Sequence, residues 1–186
     1  FKKYFASSAL EFCTCPLPET FHAQAQSQLM NLRSFVHDIL PHNLQAFDRR
    51  KTLLEASFIC EKLGLQGRVD MLQKDFKILI EQKSGKRDEW QRKHKEDHFI
   101  QMMLYQGILM YNFGKETEEL QTFLLYSKYP DGLMLEHFSE TLFRESIRLR
   151  NLIVAEEMKL GEGNISHVIE TLDTDMLNEY QIHNRL

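Results

Sequence analysis

Asp70, Glu81 and Lys83 are the residues whose types and spacing could do chemistry. Asp70 stands in Gly67-Arg68-Val69-Asp70-Met71-Leu72, and the other two stand in Ile78-Leu79-Ile80-Glu81-Gln82-Lys83. Each stretch reads as a short β-strand, and Gln73, Lys74 and Asp75 suit a tight connection. Side chains alternate along a strand, so Glu81 and Lys83 project from one face, about 7 Å apart, where Asp70 of the adjacent strand can meet them. Carboxylates are rarely set among apolar strand residues without a partner. One reading is a buried ion pair of Lys83 with either acid. Two acids and one lysine leave a net negative site, which a hard cation such as Mg²⁺ or Mn²⁺ resolves through oxygen ligands. Such an ion polarises a phosphoryl oxygen and lowers the pKa of bound water from roughly 15.7 toward about 7. Lys83 would orient that water or neutralise developing charge. That combination suits phosphodiester hydrolysis.

The elements that must position these residues follow from apolar spacing and turn residues. Glu19 to Leu40 carries Leu29, Leu32, Val36, Ile39 and Leu40 at helical intervals, and Pro41 is expected to stop the run. Leu53 to Cys60 reads as a strand before the central pair. Ser84-Gly85-Lys86 turns the chain away, and a long helix is expected from Glu89 to Phe113, ended by Gly114. Leu120 to Ser127 reads as a buried strand, Pro130-Asp131-Gly132 as a turn and Leu133 to Glu136 as a short return strand. A last helix is expected from Ser139 to Leu160. Helix, three strands, helix, one or two strands and helix make an α/β fold, a mixed sheet with helices packed on it.

Composition sets the outer bounds. The chain has 186 residues, 42% of them hydrophobic and 27% charged, which is ordinary globular composition. It is long enough for one well-buried domain and short for two. No apolar run approaches the roughly 20 residues of a membrane span, so no membrane partner is expected. Three cysteines, Cys13, Cys15 and Cys60, fit free thiols in a reducing compartment, and the cytoplasm is the expected location. The net charge of −4 argues against indiscriminate polyanion binding, so a nucleic-acid substrate needs a local basic patch.

That patch is visible between Lys83 and Lys95. Lys83, Lys86, Arg87, Arg92, Lys93 and Lys95 face only Asp88 and Glu89, with Trp90 among them. Cations beside an aromatic suit single-stranded nucleic acid, through phosphate pairing and base stacking. The bland alternative is a solvated loop. Arg144 and Arg148, one helical turn apart, are second candidates for phosphates, or else an exposed helix face. His94-Lys95-Glu96-Asp97-His98 is not a zinc-protease motif, because the acid sits one place late. The stripe of His94, His98, Gln101 and Tyr105 would instead line the mouth of the site, where His98 could touch substrate.

Val69-Asp70, with Ile80-Glu81-Gln82-Lys83-Ser84-Gly85-Lys86 after it, resembles the signature of the PD-(D/E)XK nucleases. The form is similar to that of the RecB-like branch, which also carries Gln-x-x-x-Tyr on the helix after the lysine strand. Here that motif is Gln101-Met102-Met103-Leu104-Tyr105, and its spacing puts Gln101 and Tyr105 on one face. The likeness covers Leu53 to Arg150 and extends to Leu124-Leu125-Tyr126-Ser127-Lys128 and the arginines from Arg144 to Arg150. It implies a restriction-endonuclease-like core and a metal-dependent deoxyribonuclease for single-stranded or flapped DNA in replication or repair, often fused to a helicase. It also implies that Asp70, Glu81 and the Gln82 backbone carbonyl hold Mg²⁺ or Mn²⁺, with Lys83 as catalytic cation and Gln101 and Tyr105 supporting it and orienting DNA.

His37 resembles a metal-binding histidine of the branch, which lies in Gly-x-x-x-His, although Arg33 occupies the glycine place. A structural histidine, or a ligand upstream of Phe1, are the alternatives. Relatives often hold an iron–sulfur cluster through one upstream and three downstream cysteines. No cysteine follows Cys60, so no cluster is expected. The expected organisation is one nuclease domain, with a helical part over 1–52, a core over 53–160 and an extension over 161–186. The start at Phe1 suggests a piece cut from a longer protein. The rival readings are a nuclease fold that binds DNA without cleaving it, and a restriction-type endonuclease acting on duplex DNA.

Overall fold

The computed structural model describes residues 2–14 and 16–161 and divides the chain into two compact units, Phe1–Ser139 and Glu140–Leu186. The 161–186 extension lies almost wholly outside the described residues. In the first unit, short helices α1 (Lys2–Ser7) and α2 (Ala9–Cys13) precede α3 (Phe21–Ser34). A π-helical turn, Phe35–Ile39, then leads into the single-turn α4 (Leu40–Asn43). Strands β1 (Thr52–Cys60), β2 (Leu65–Gln73) and β3 (Ile78–Lys83) follow, then α5 (Glu96–Phe113), β4 (Gln121–Tyr126) and β5 (Leu133–Glu136). The second unit begins with α6 (Glu140–Gly161). No helix of the described residues is long and apolar enough to cross a membrane.

The five strands form one mixed sheet in the order β1-β2-β3-β4-β5. All pairs are antiparallel except β3 with β4, which run parallel because α5 carries the chain across. Ile78, Leu79 and Ile80 are all buried, as a strand covered on both faces requires. Ile78 and Ile80 of β3 join Phe123 and Leu125 of β4 against Phe35 and Leu40, with Leu32 and Met71 packed beside them. The opposite face of the sheet meets α5, whose buried side includes Met102, Met103, Gln106 and Leu109. Odd-numbered side chains of β3 therefore face α5, and even-numbered ones face the N-terminal helices.

Two expected boundaries are corrected. Pro41 does not stop the first helical run. The backbone N–H of Leu40 bonds to the carbonyl of Phe35, five residues back, and Pro41 enters at the start of α4. Proline is tolerated in a first helical turn, where its missing N–H costs nothing. The helix expected from Glu89 begins at Glu96 instead. Lys95 is extended (φ −79°, ψ 144°), and the preceding segment is held by a bridge between Asp88 and Lys93. Glu96 and Asp97 in the first turn suit the positive end of the helix dipole, which a start among Arg92, Lys93 and Lys95 would oppose. The helix ends as expected at Gly114, at φ 61°, whose N–H bonds to the Met110 carbonyl.

Candidate active site

The β2–β3 ladder is short, pairing Met71 with Ile80 and Leu72 with Leu79. One position further on, Asp70 lies across from Glu81, where ladder bonding has ended. The Asp70 side chain takes over there, its Oδ2 accepting a hydrogen bond from the Gln82 backbone N–H at 2.7 Å. Glu81 and Lys83 share the α5 face, and Lys83 Nζ lies 2.9 Å from Glu81 Oε1. Lys83 Nζ also donates to Gln101 Oε1 at 2.6 Å, and Gln101 Nε2 donates to the Tyr105 hydroxyl at 2.8 Å. An unbroken chain thus runs Glu81–Lys83–Gln101–Tyr105, with both ends of the Gln101 amide fixed. Tyr105 in turn rests on Gly67 of β2, where an added Cβ would overlap its ring.

Two predictions follow this chain outward. Tyr105→Phe removes the acceptor that fixes the Gln101 amide and frees it to rotate away from Lys83. Loss of such an outer support is expected to lower cleavage by roughly 10- to 100-fold with little change in melting temperature, read from initial rates beside a thermal melt. Gly67→Ala drives a methyl into the Tyr105 ring and is expected to destabilise the fold by about 1–3 kcal/mol, measured by urea denaturation.

Glu81 is 3% exposed, and its Oε2 has no hydrogen-bond partner. Burial pushes its pKa up, the neighbouring Asp70 charge pushes the same way, and Lys83 and the Asp70 amide only partly oppose them. A buried carboxylate oxygen without a partner, beside a second acid, is the donor a hard divalent cation takes. Among the described residues no three His, Cys, Asp or Glu side chains gather into a ready metal cage. The fit to a hard cation therefore rests on Asp70 and Glu81.

The other candidate residues fall into separate places. His37 is exposed on the π-helical turn, its Nδ1 2.9 Å from Arg49 Nη1, and it does not join the two acids in a metal-binding group. The side chain of Gln82 points to the α3 face and donates to Ser127 Oγ at 2.9 Å. Lys86 is exposed and loosely paired with Glu89 at 3.5 Å. Arg87 is only 8% exposed and is spent on structure: its Nη2 donates to the Asp131 carboxylate at 3.0 and 3.2 Å, with its guanidinium 4.5 Å over the Tyr129 ring. A buried guanidinium committed to Asp131 and Tyr129 braces the loop, in contrast to the phosphate contact expected of it. Trp90, Arg92 and Lys93 are exposed on the same loop.

His98 lies on α5, one turn before Gln101. Tyr126 Oη accepts from the Lys95 N–H at 2.9 Å and lies 2.9 Å from His98 Nδ1. With that lone pair of the hydroxyl engaged, its proton is available to His98. Burial depresses the His98 pKa below its ordinary 6.5; the Asp97 charge opposes that, and the Lys83 and Lys95 charges add to it, so the neutral ring is favoured at pH 7. His94 does not share the helix face expected of it. It precedes α5, stacks on Phe99 and meets Glu136 Oε1 at 2.7 Å. In the second unit, Arg144 pairs with Glu140 and Arg148 with Glu145 along the exposed surface of α6.

Several supports went unread in the sequence. Ser127 Oγ lies 3.0 Å from Gln28 Oε1, and Asn31 Nδ2 donates to the Ser127 carbonyl at 2.9 Å. Gln28 Nε2 also donates to the Ser84 carbonyl at 3.2 Å, so α3 is tied to the ends of β3 and β4. Gln24 and Gln28 with Lys86 and Lys128 line a groove of about 240 Å³ beside these ties. The only sequence signal is the polar spacing of Gln24, Gln28 and Asn31 along one side of α3.

Comparison with known proteins places the chain in a family. Residues 6–170 match the sequence profile of the PD-(D/E)XK nuclease superfamily, and the chain belongs to that superfamily. The fold is also similar to a crystal structure from Eubacterium rectale described as a "Putative exonuclease", at a TM-score of 0.50 and 15% identity. The match covers 91% of this chain and 62% of that one, so the chain spans less than two thirds of that structure's length. No curated protein sequence matches the chain.

Proposed function

We propose that the chain is a metal-dependent deoxyribonuclease that hydrolyses phosphodiester bonds of single-stranded or flapped DNA. The observation that carries this reading is Lys83, fixed between Glu81 and Gln101 beside Asp70, with a Glu81 oxygen left unpartnered. Asp70, Glu81 and the Gln82 carbonyl would hold Mg²⁺ or Mn²⁺, which when bound polarises the phosphoryl oxygen and acidifies water. Lys83 supplies a fixed positive charge where negative charge develops on the phosphate, with no reorganisation during reaction. Gln101 keeps the ammonium aimed, and Tyr105 keeps Gln101 aimed. Neutral His98 can offer a ring N–H toward the substrate from one helical turn away.

The Gln-x-x-x-Tyr hydrogen-bond chain supports the RecB-like branch over a restriction-type enzyme. Action beside a helicase in replication or repair rests on that resemblance. The position of His37, apart from the acids, favours the binding-only alternative in one respect, since a histidine ligand is then missing. Cleavage of end-labelled single-stranded, 5′- and 3′-flapped and blunt duplex DNA in Mg²⁺ separates these readings. The single strand and flaps are expected to be cut faster than the duplex. Preferential cutting of duplex at a fixed sequence would replace this reading with the restriction-type one.

A further inference from the structure

The segment between β3 and α5 holds the sole tryptophan of the chain, and that tryptophan is 95% exposed. A tryptophan side chain ordinarily buries a large apolar surface, so holding one in water calls for a reason. A loosely hung loop would supply one, but this loop is braced at every turn. Asp88 and Lys93 form a β-bridge, and Asp88 Oδ1 accepts from the N–H groups of Trp90 and Gln91 at 2.9 and 3.0 Å. Arg92 closes the turn in the left-handed region at φ 51°. Arg87 is locked to Asp131 and Tyr129, the Tyr129 hydroxyl donates to Glu89 at 2.8 Å, and His94 is held by Glu136. The backbone around Trp90 and the side chains of Arg87, Asp88, Glu89 and His94 are tied down while the indole stands clear.

We propose that this hairpin is a nucleobase-stacking finger: Trp90 stacks on an unpaired base of the DNA strand, and Arg92, Lys93 and Lys95 take the flanking phosphates. This rests on the deoxyribonuclease reading and adds to it a site for the bases themselves. Arg92, Lys93 and Lys95 are exposed, and no ion pair among the described residues engages them. They stand out in a chain whose net charge is −4, which favours a polyanion over a protein face as the partner. Trp90 is seven residues beyond Lys83, so the indole backbone lies within about 25 Å of the catalytic lysine even if fully extended. That reach fits one strand lying across both, since single-strand sites run to about 4–16 nucleotides. A braced loop loses little backbone freedom when its tryptophan stacks, which favours affinity.

The single tryptophan makes the test direct. An oligo(dT) strand is titrated into the 186-residue chain in EDTA, which keeps the strand intact, while tryptophan fluorescence and the anisotropy of a 5′ label are followed together. The expected result is quenching that saturates with the anisotropy change, and loss of the quenching with an abasic strand of equal length. Trp90→Ala is expected to weaken single-strand binding roughly 5- to 150-fold, the range of one base stack, while Trp90→Phe stays within a few-fold of the parent. Binding by anisotropy with unchanged fluorescence, and equal affinity for Trp90→Ala, would overturn the finger and leave the nuclease reading standing. No strand binding by the parent chain would also overturn the finger. Metal-dependent cleavage, measured separately, then decides whether the nuclease reading falls with it.

Discussion

Replacing Lys83 with alanine is expected to lower the rate of DNA cleavage by at least about 10²–10³-fold, the cost of removing one preorganised charge-stabilising donor. Two effects combine. The variant removes the cation proposed to face the phosphate, and it leaves Glu81 buried without its ion-pair partner. The Glu81 pKa is already raised by burial, and losing Lys83 pushes it further in the same direction. Glu81 is then protonated over a wider pH range, and a protonated carboxyl is a poor metal ligand. Lys83→Met keeps the apolar stem and separates loss of charge from loss of packing, and it should be equally impaired. Lys83→Arg should not rescue, because the planar guanidinium cannot occupy a point-charge site that is 15% exposed. Single-turnover rates, with a thermal melt to verify folding, check all three.

Glu81→Gln is the second large effect, and its signature is thermodynamic as well as kinetic. Loss of an anionic metal ligand is expected to remove several kcal/mol of catalysis, about 10³-fold at 1.36 kcal/mol per decade. In the parent chain, saturating Mg²⁺ or Mn²⁺ at about 100 times Kd should stabilise the fold by about 2.7 kcal/mol, a rise in Tm of roughly 5–11 °C. In Glu81→Gln that rise should nearly vanish. The pH dependence follows from the direction of the Glu81 shift. A carboxyl whose native pKa lies above its ordinary 4.5 favours the folded state below 4.5, and that contribution is lost as pH rises through the native value. The metal-free chain should therefore lose this contribution above pH 4.5, and the metal-induced rise in Tm should grow across the same window. Differential scanning fluorimetry from pH 4 to 8, with and without metal, reads both trends; a metal effect of equal size in Glu81→Gln would place the ion elsewhere.

What the sequence could show was set by the range of the interactions. The strand period of two is strict, so the parity of Glu81 and Lys83, and the meeting with Asp70 across one turn, were legible from spacing. Gln101 and Tyr105 share a helix face by their spacing, but it was the resemblance to the RecB-like motif that singled them out. The mixed α/β architecture followed from strongly apolar runs such as Ile78-Leu79-Ile80 and Phe123-Leu124-Leu125. Arg87 was misread because its partner, Asp131, lies 44 residues away, and a basic run looks solvated until that partner is placed. The ties of Ser127 to Gln28 and Asn31 span 99 and 96 residues, with no local pattern to announce them. The orientation of His37 depends on a π-helical turn, where one extra residue rotates every later side chain. The start of α5 hinged on Glu96 and Asp97, a dipole signal weaker than the apolar period that follows it.

The central claim is that Asp70, Glu81 and Lys83 form a working metal-dependent nuclease site. The most direct test is cleavage of end-labelled single-stranded DNA by the unmodified chain in Mg²⁺, in Mn²⁺ and in EDTA, with metal then restored to the EDTA sample. The account predicts cutting in at least one metal, none in EDTA, and recovery when metal is added back. Cutting that persists undiminished in EDTA, or none under any metal while the strand is still bound, would contradict it.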